Sequence, residues 1–128
     1  MSLRACYNKR MKTTMTYNLS CRLFTDVKCF GPGVARLLHG VQELHSLRAA
    51  ALHMDMAYSK AWTVVKNAEK ALGFPLLSST IGGHGGGGAA LTDEGLRLLT
   101  AYDAFCAKLR DAADELYQEE FAAFLENT

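Results

Sequence analysis

From Val34 onward apolar residues recur at helical spacing: Val34, Leu37, Leu38, Val41 and Leu44 fall at i, i+3, i+4, i+7 and i+10, one continuous face. This predicts a first helix from Val34 to about His45, held off from what precedes it by Gly31-Pro32-Gly33. Ser46 is placed to cap a short second helix. Its stripe of Leu47, Ala50, Ala51 and Met54 is narrow and small at the centre, so another helix can approach closely. A turn at Asp55-Met56 leads to a third helix, about Ala57 to Leu72, with Ala61, Trp62, Val65, Ala68 and Leu72 inward and Gly73 as its stop.

The segments on either side have a different period. Residues 14–25 contain β-branched and aromatic residues in partial alternation, and VKCF follows Asp26, so a strand or hairpin is expected there. After the third helix, FPLLSSTI reads as a strand, followed by six glycines in residues 82–88 around His84, then a short apolar AAL. A dinucleotide-binding loop would lead its strand straight into a helix with G-x-G-x-x-G at the joint, and a phosphate loop would end in Gly-Lys-Ser/Thr. Neither is present, because Gly88–Leu91 and a capping Thr92 separate the glycines from the next helix. Two short strands and their loop, placed after a helix, turn and helix, make a wing on a helix-turn-helix unit, whose second helix conventionally lies in a major groove.

Thr92-Asp93-Glu94 opens a long last helix running toward Leu125. Along it Leu99, Tyr102, Cys106, Leu109, Ala113, Leu116 and Ala123 keep spacings of three and four that break at Glu120, widened by Phe105, Ala112 and Phe124. The first turns suit an intramolecular core. The distal stripe is too long for so small a domain, so a homodimer is expected through Leu99, Tyr102, Cys106, Leu109, Ala113 and Leu116.

Composition narrows the function. The chain has 128 residues, enough for about one domain, and no apolar run approaches the ~20 residues of a membrane span. The basic N-terminus lacks an apolar run after it, so no secretory signal is read and the cytoplasm is the expected location. Cys6, Cys21, Cys29 and Cys106 form no C-x-x-C pair, and the histidines lack helical ligand spacing, so neither metal nor cofactor is expected. No nucleophile or carboxylate pair stands at a recognisable catalytic spacing, so no enzyme is read. Residues 1–60 hold nine Lys/Arg against three Asp/Glu, and residues 61–128 hold five against ten. A basic front half suits a polyanion, and an acidic last helix suits a position away from one.

The run from "FGPGVARLLHGVQELHSLRAAALHMDMAYSKAW" through "ALGFPLL" to "GGHGGGGAALTDEGLRLL" resembles the N-terminal winged-helix domain of the molybdate-responsive ModE regulators, related to the LysR type. The resemblance implies a mainly α fold with a small β component: a basic arm over residues 1–13, a winged helix-turn-helix over 14–92, and a dimerisation helix and tail over 93–128. It implies double-stranded DNA as partner, with the third helix in the major groove. The family's molybdate-binding domains have no counterpart in these residues. Positions implied to face DNA are Arg48, Ala57, Tyr58, Ser59, Lys60, Thr63, Lys66, Thr80 and His84. Several depart from the family pattern. Ala57, Tyr58 and Ser59 stand where relatives have Ser, Tyr and a cation, Asp55 replaces a glycine, Thr80 lies among former arginines, and His84 replaces a lysine. A wing so nearly uncharged leaves a rival reading, a winged-helix module that binds protein and little DNA.

Overall fold

The computed structural model describes residues 15–80 and 88–126. In chain order they form β1 (Leu23–Phe24), β2 (Lys28–Phe30), α1 (Pro32–Leu44), α2 (Leu47–His53), α3 (Tyr58–Leu72), β3 (Leu77–Thr80), β4 (Gly88–Leu91) and α4 (Asp93–Glu126). The chain divides into two compact units, residues 20–103 and a smaller one described over residues 15–19 and 104–126. The expected basic arm, residues 1–13, lies outside the described residues.

In the larger unit Pro32 starts α1, its fixed φ already helical and its missing N–H one that the first turn leaves unpaired in any case. Leu37, Leu38 and Val41 are fully buried, as their spacing predicts. α1 closes at His45 in the left-handed region (φ 58), with its N–H donating to the Val41 carbonyl at 2.7 Å. Ser46 immediately caps α2, its hydroxyl accepting from the Ala49 N–H at 3.0 Å. The small residues have the expected consequence. A Cβ built on Gly40 would stand 2.6 Å from that of Ala50, so α1 and α2 approach closer than two alanines allow.

The turn before α3 places Asp55 at φ 54, the conformation that its short polar side chain tolerates. Asp55 does not cap α3. The cap position is Ala57, which has no side-chain hydrogen bond to the first turn. The position of Trp62 corrects the sequence reading. The pattern puts it in the core beside Val65, yet it is 49% exposed while Ala61, Val65 and Ala68 are buried. That core face packs against Ala50 and Ala51, a seam built for small side chains, which leaves the indole at its edge.

The β segments are shorter than predicted. β1 and β2 pair antiparallel only as Leu23 with Phe30 and Phe24 with Lys28, with an irregularity between them, and residues 15–22 are not strand. The wing strands match their prediction, pairing antiparallel from Leu77 with Leu91 to Thr80 with Gly88. Three contacts fix the wing's base. Ala89 N–H donates to the His45 carbonyl at 3.0 Å. Gly88 lies so close that a Cβ would meet that same oxygen at 2.6 Å. Glu69, reaching from α3, accepts from the N–H groups of Leu76 at 2.7 Å and Leu77 at 3.2 Å.

Charge-assisted bonds of this kind contribute about 1.5–3 kcal/mol each, and removing the acceptor strands two amides. Glu69→Ala is therefore expected to lower stability by about 2–3 kcal/mol, read as a lower urea midpoint at unchanged slope. A loss below about 0.5 kcal/mol would show that these bonds hold nothing.

The L-T-x-x-G sequence that opens α4 has a specific geometry. Thr92 N–H donates to the Leu76 carbonyl at 2.9 Å, its hydroxyl donates to the Pro75 carbonyl at 2.7 Å, and the same oxygen caps the helix by accepting from Gly95 N–H at 2.9 Å. Leu99 and Tyr102, in the next turns, are buried in this unit at 1% and 6% exposure. The Tyr102 ring meets Phe30 edge-on at 5.0 Å, and its hydroxyl donates to the Cys21 carbonyl at 2.8 Å.

In the smaller unit residues 15–19 pack along the distal part of α4. Tyr17 stacks obliquely on Tyr117 at 5.1 Å and donates to the Asp114 carboxylate, a bond that raises its phenol above the ordinary tyrosine value. Tyr117 donates to the Met15 carbonyl at 3.1 Å. This is why the alternation of residues 14–25 does not become one strand: its first part belongs to a different unit.

Candidate nucleic-acid interface

α3 has two chemically distinct sides. Its inner side buries Ala61, Val65 and Ala68, and its outer side exposes Ser59, Lys60, Thr63, Lys66, Asn67 and Lys70. A rotation of 100° per residue separates the two sets. Near the start of that outer side the Thr63 hydroxyl donates to the Ser59 carbonyl at 2.9 Å, which leaves its oxygen free to accept. Since no side chain caps the first turn, its N–H groups have no side-chain acceptor there.

The sequence-predicted positions fall into three groups. Ser59, Lys60 and Thr63 share the outer face of α3. Arg48, Tyr58 and Lys66 come together in a groove between the helices and the wing, where they are joined by Trp62, Ser78 and Ser79. Thr80 lies apart, exposed at the end of β3, with Ala57 at the cap position, and His84 is outside the described residues. In the groove the Arg48 guanidinium stands 4.1 Å above the Tyr58 ring. The Lys66 ammonium lies 5.6 Å from the centre of the Trp62 ring and 3.2 Å from a Glu69 oxygen. Lys66 is thus partly neutralised by its neighbour. Lys60, on the other flank, has no ion pair among the described residues.

Trp62 and Glu69 were not legible as site residues. A tryptophan one turn into an amphipathic helix carries the signature of a core residue, and a glutamate three positions after a lysine that of a surface pair. Only the chain's return along the wing brings them to the groove.

The residues assigned to a partner chain also separate. Leu99 and Tyr102 are buried in the larger unit, so they have almost no surface to give. Cys106, Leu109 and Ala113 are half-buried, and Leu116 and Phe105 are exposed at 56% and 52%. Phe105, Leu109, Ala112 and Leu116 follow at intervals of four, three and four, a stripe on α4 that residues of the smaller unit leave open. Among the described residues there is no cluster able to hold a metal ion, and Cys29 and Cys106 are free thiols. No helix among them is long and apolar enough to cross a membrane.

Comparison with known proteins agrees with this geometry. Residues 34–96, from α1 through the wing to the start of α4, match the family model of the bacterial regulatory helix-turn-helix proteins of the lysR family. The transcriptional regulator ModE of Haemophilus influenzae is 33% identical over 112 residues, 88% of this chain and 42% of that protein. The molybdenum-pterin-binding protein MopB of Rhodobacter capsulatus is 37% identical over 68 residues, 53% of this chain and 25% of that protein. The DNA-binding transcriptional dual regulator ModE of Escherichia coli is 29% identical over 106 residues, 83% and 38% respectively. The chain spans less than half the length of each of these relatives.

Proposed function

We propose that this chain is a cytoplasmic DNA-binding transcription regulator, because residues 34–96 match the helix-turn-helix family model of the lysR-type bacterial regulators. It acts as a homodimer, by occupying promoter DNA, and performs no chemistry. The observation that carries this reading is the outer face of α3, where Ser59, Lys60 and Thr63 offer side-chain donors and acceptors to base edges opposite a buried alanine and valine seam. The wing, tied to the end of α1 through Ala89 and His45, stands beside that helix as the second contact. Selection from a random duplex pool at low salt tests the proposal. Enrichment of a pseudo-palindrome with half-sites about one helical turn apart is expected.

The rival reading keeps one observation in its favour. Lys66 is paired with Glu69, and Ser59 and Thr80 are neutral, so the face is short of charge. A protein-interaction module would enrich no duplex.

The homodimer rests on the stripe of exposed Phe105 and Leu116 with half-buried Leu109 between them, on a helix whose other distal face is covered by residues 15–19. Leu116→Asp would place a carboxylate in that seam, beside a helix segment that already carries seven acidic residues against two basic ones over residues 103–126. Sedimentation equilibrium at tens of micromolar is expected to give a dimer for the parent chain and a monomer for the variant. A parent chain that sediments as a monomer overturns the dimer and leaves DNA recognition by α3 to stand separately.

A further inference from the structure

The groove between α3 and the wing contains the one tryptophan of the chain, and neither core packing nor the base-reading face uses it. The groove has a volume of about 460 Å³. Arg48, Tyr58, Trp62 and Lys66 form its helical wall and Ser78 and Ser79 the strand wall. Trp62 is half exposed, and its indole N–H has no hydrogen-bond acceptor among the described residues. An indole is a donor only, and its ring offers a flat apolar surface. The local charge is nearly balanced, since Glu69 offsets Lys66 and leaves Arg48 as the excess cation.

A ligand fitting this groove must offer an anionic acceptor beside an apolar, sugar-sized surface. Resting on the DNA-binding reading above, we propose that the groove seats the sugar–phosphate backbone of one DNA strand, with Trp62 donating its N–H to a phosphate oxygen and laying its ring against the deoxyribose. Tyr58, Ser78 and Ser79 supply further neutral donors, and Arg48 supplies the charge. Trp62 is then a positioning residue that fixes the register of α3 on the duplex without reading sequence.

A neutral donor has a distinctive signature. It adds affinity without displacing a counterion, so its removal weakens binding and leaves the salt dependence alone. Trp62→Phe keeps an aromatic ring and loses the donor. With a selected duplex, its affinity is expected to fall about tenfold at an unchanged slope of log K against log salt, whereas Lys66→Met should reduce that slope by at most about 0.9. The parent chain supplies an independent arm, because all tryptophan fluorescence comes from the groove. Saturation with the duplex is expected at least to halve the acrylamide quenching constant. Duplex binding, followed by anisotropy of labelled DNA, with unchanged quenching or with full affinity in Trp62→Phe overturns this assignment alone. Absence of any duplex binding overturns it together with the DNA reading.

Discussion

Replacing Gly95 by alanine is expected to lower the stability of the larger unit by about 2–3 kcal/mol, although alanine is the better helix former by up to about 1 kcal/mol. The added Cβ would stand 2.5 Å from the Leu76 carbonyl oxygen and 3.2 Å from its carbon, both backbone atoms in the segment that Glu69 pins. It would also lie 3.1 Å from the Thr92 hydroxyl that caps the helix. Relief requires α4 to move away from Leu76, which breaks the Thr92 bonds to Leu76 and Pro75 as well as the cap, itself a contribution of about 0.5–2 kcal/mol. For a unit of this size the melting temperature should fall by roughly 10–20 °C. Gly33→Ala is the control: nothing stands within 4 Å of its Cβ, and it lies in the first turn of α1. Melting of Gly95→Ala within two or three degrees of the parent would show that the joint between wing and α4 yields freely.

The helices were legible because a period of 3.6 residues is written in which positions are apolar, and their ends because the stop and start chemistry is local. Ser46, Thr92 and Gly73 do in the structure what their residue types suggest: two hydroxyl caps and a left-handed stop at φ 87. The Gly88 end of the glycine cluster answers to packing, since the His45 carbonyl leaves no space for a Cβ there. Non-local facts were not legible. Whether Trp62 is core or surface depends on how closely α2 approaches, which Ala50 and Ala51 set from a different helix. The partition of α4 depends on Phe30 and Cys21, residues some 70–80 positions away that bury and bond Tyr102. The hydrogen bonds of Glu69 run to the amides where β3 begins, Leu76 and Leu77, of which its own helix gives no sign.

Restoring charge to the outer face of α3 and to the wing is expected to have the largest effect on binding. Ser59 is exposed on the face opposite Ala61 and Val65, and Thr80 is exposed where β3 ends. Neither position belongs to an ion pair of the described residues, whose pairs are His39 with Asp103 and Lys66 with Glu69. If these positions face phosphates, each arginine displaces about one counterion and tightens binding at low salt by on the order of tenfold. A base-edge contact from residue 59 would in addition shift sequence preference at one base pair by about 1–3 kcal/mol. His84→Lys belongs with them on the sequence pattern alone.

The most direct test of DNA recognition by α3 and the wing is the affinity for a selected duplex, measured against salt for the parent chain and for the Ser59→Arg, Thr80→Arg double variant. The account predicts a slope of log K on log salt steeper by about 1.8 in the variant, two phosphates at about 0.9 each. Equal slopes for the two proteins would contradict it, because the face assigned to DNA would then not touch a phosphate.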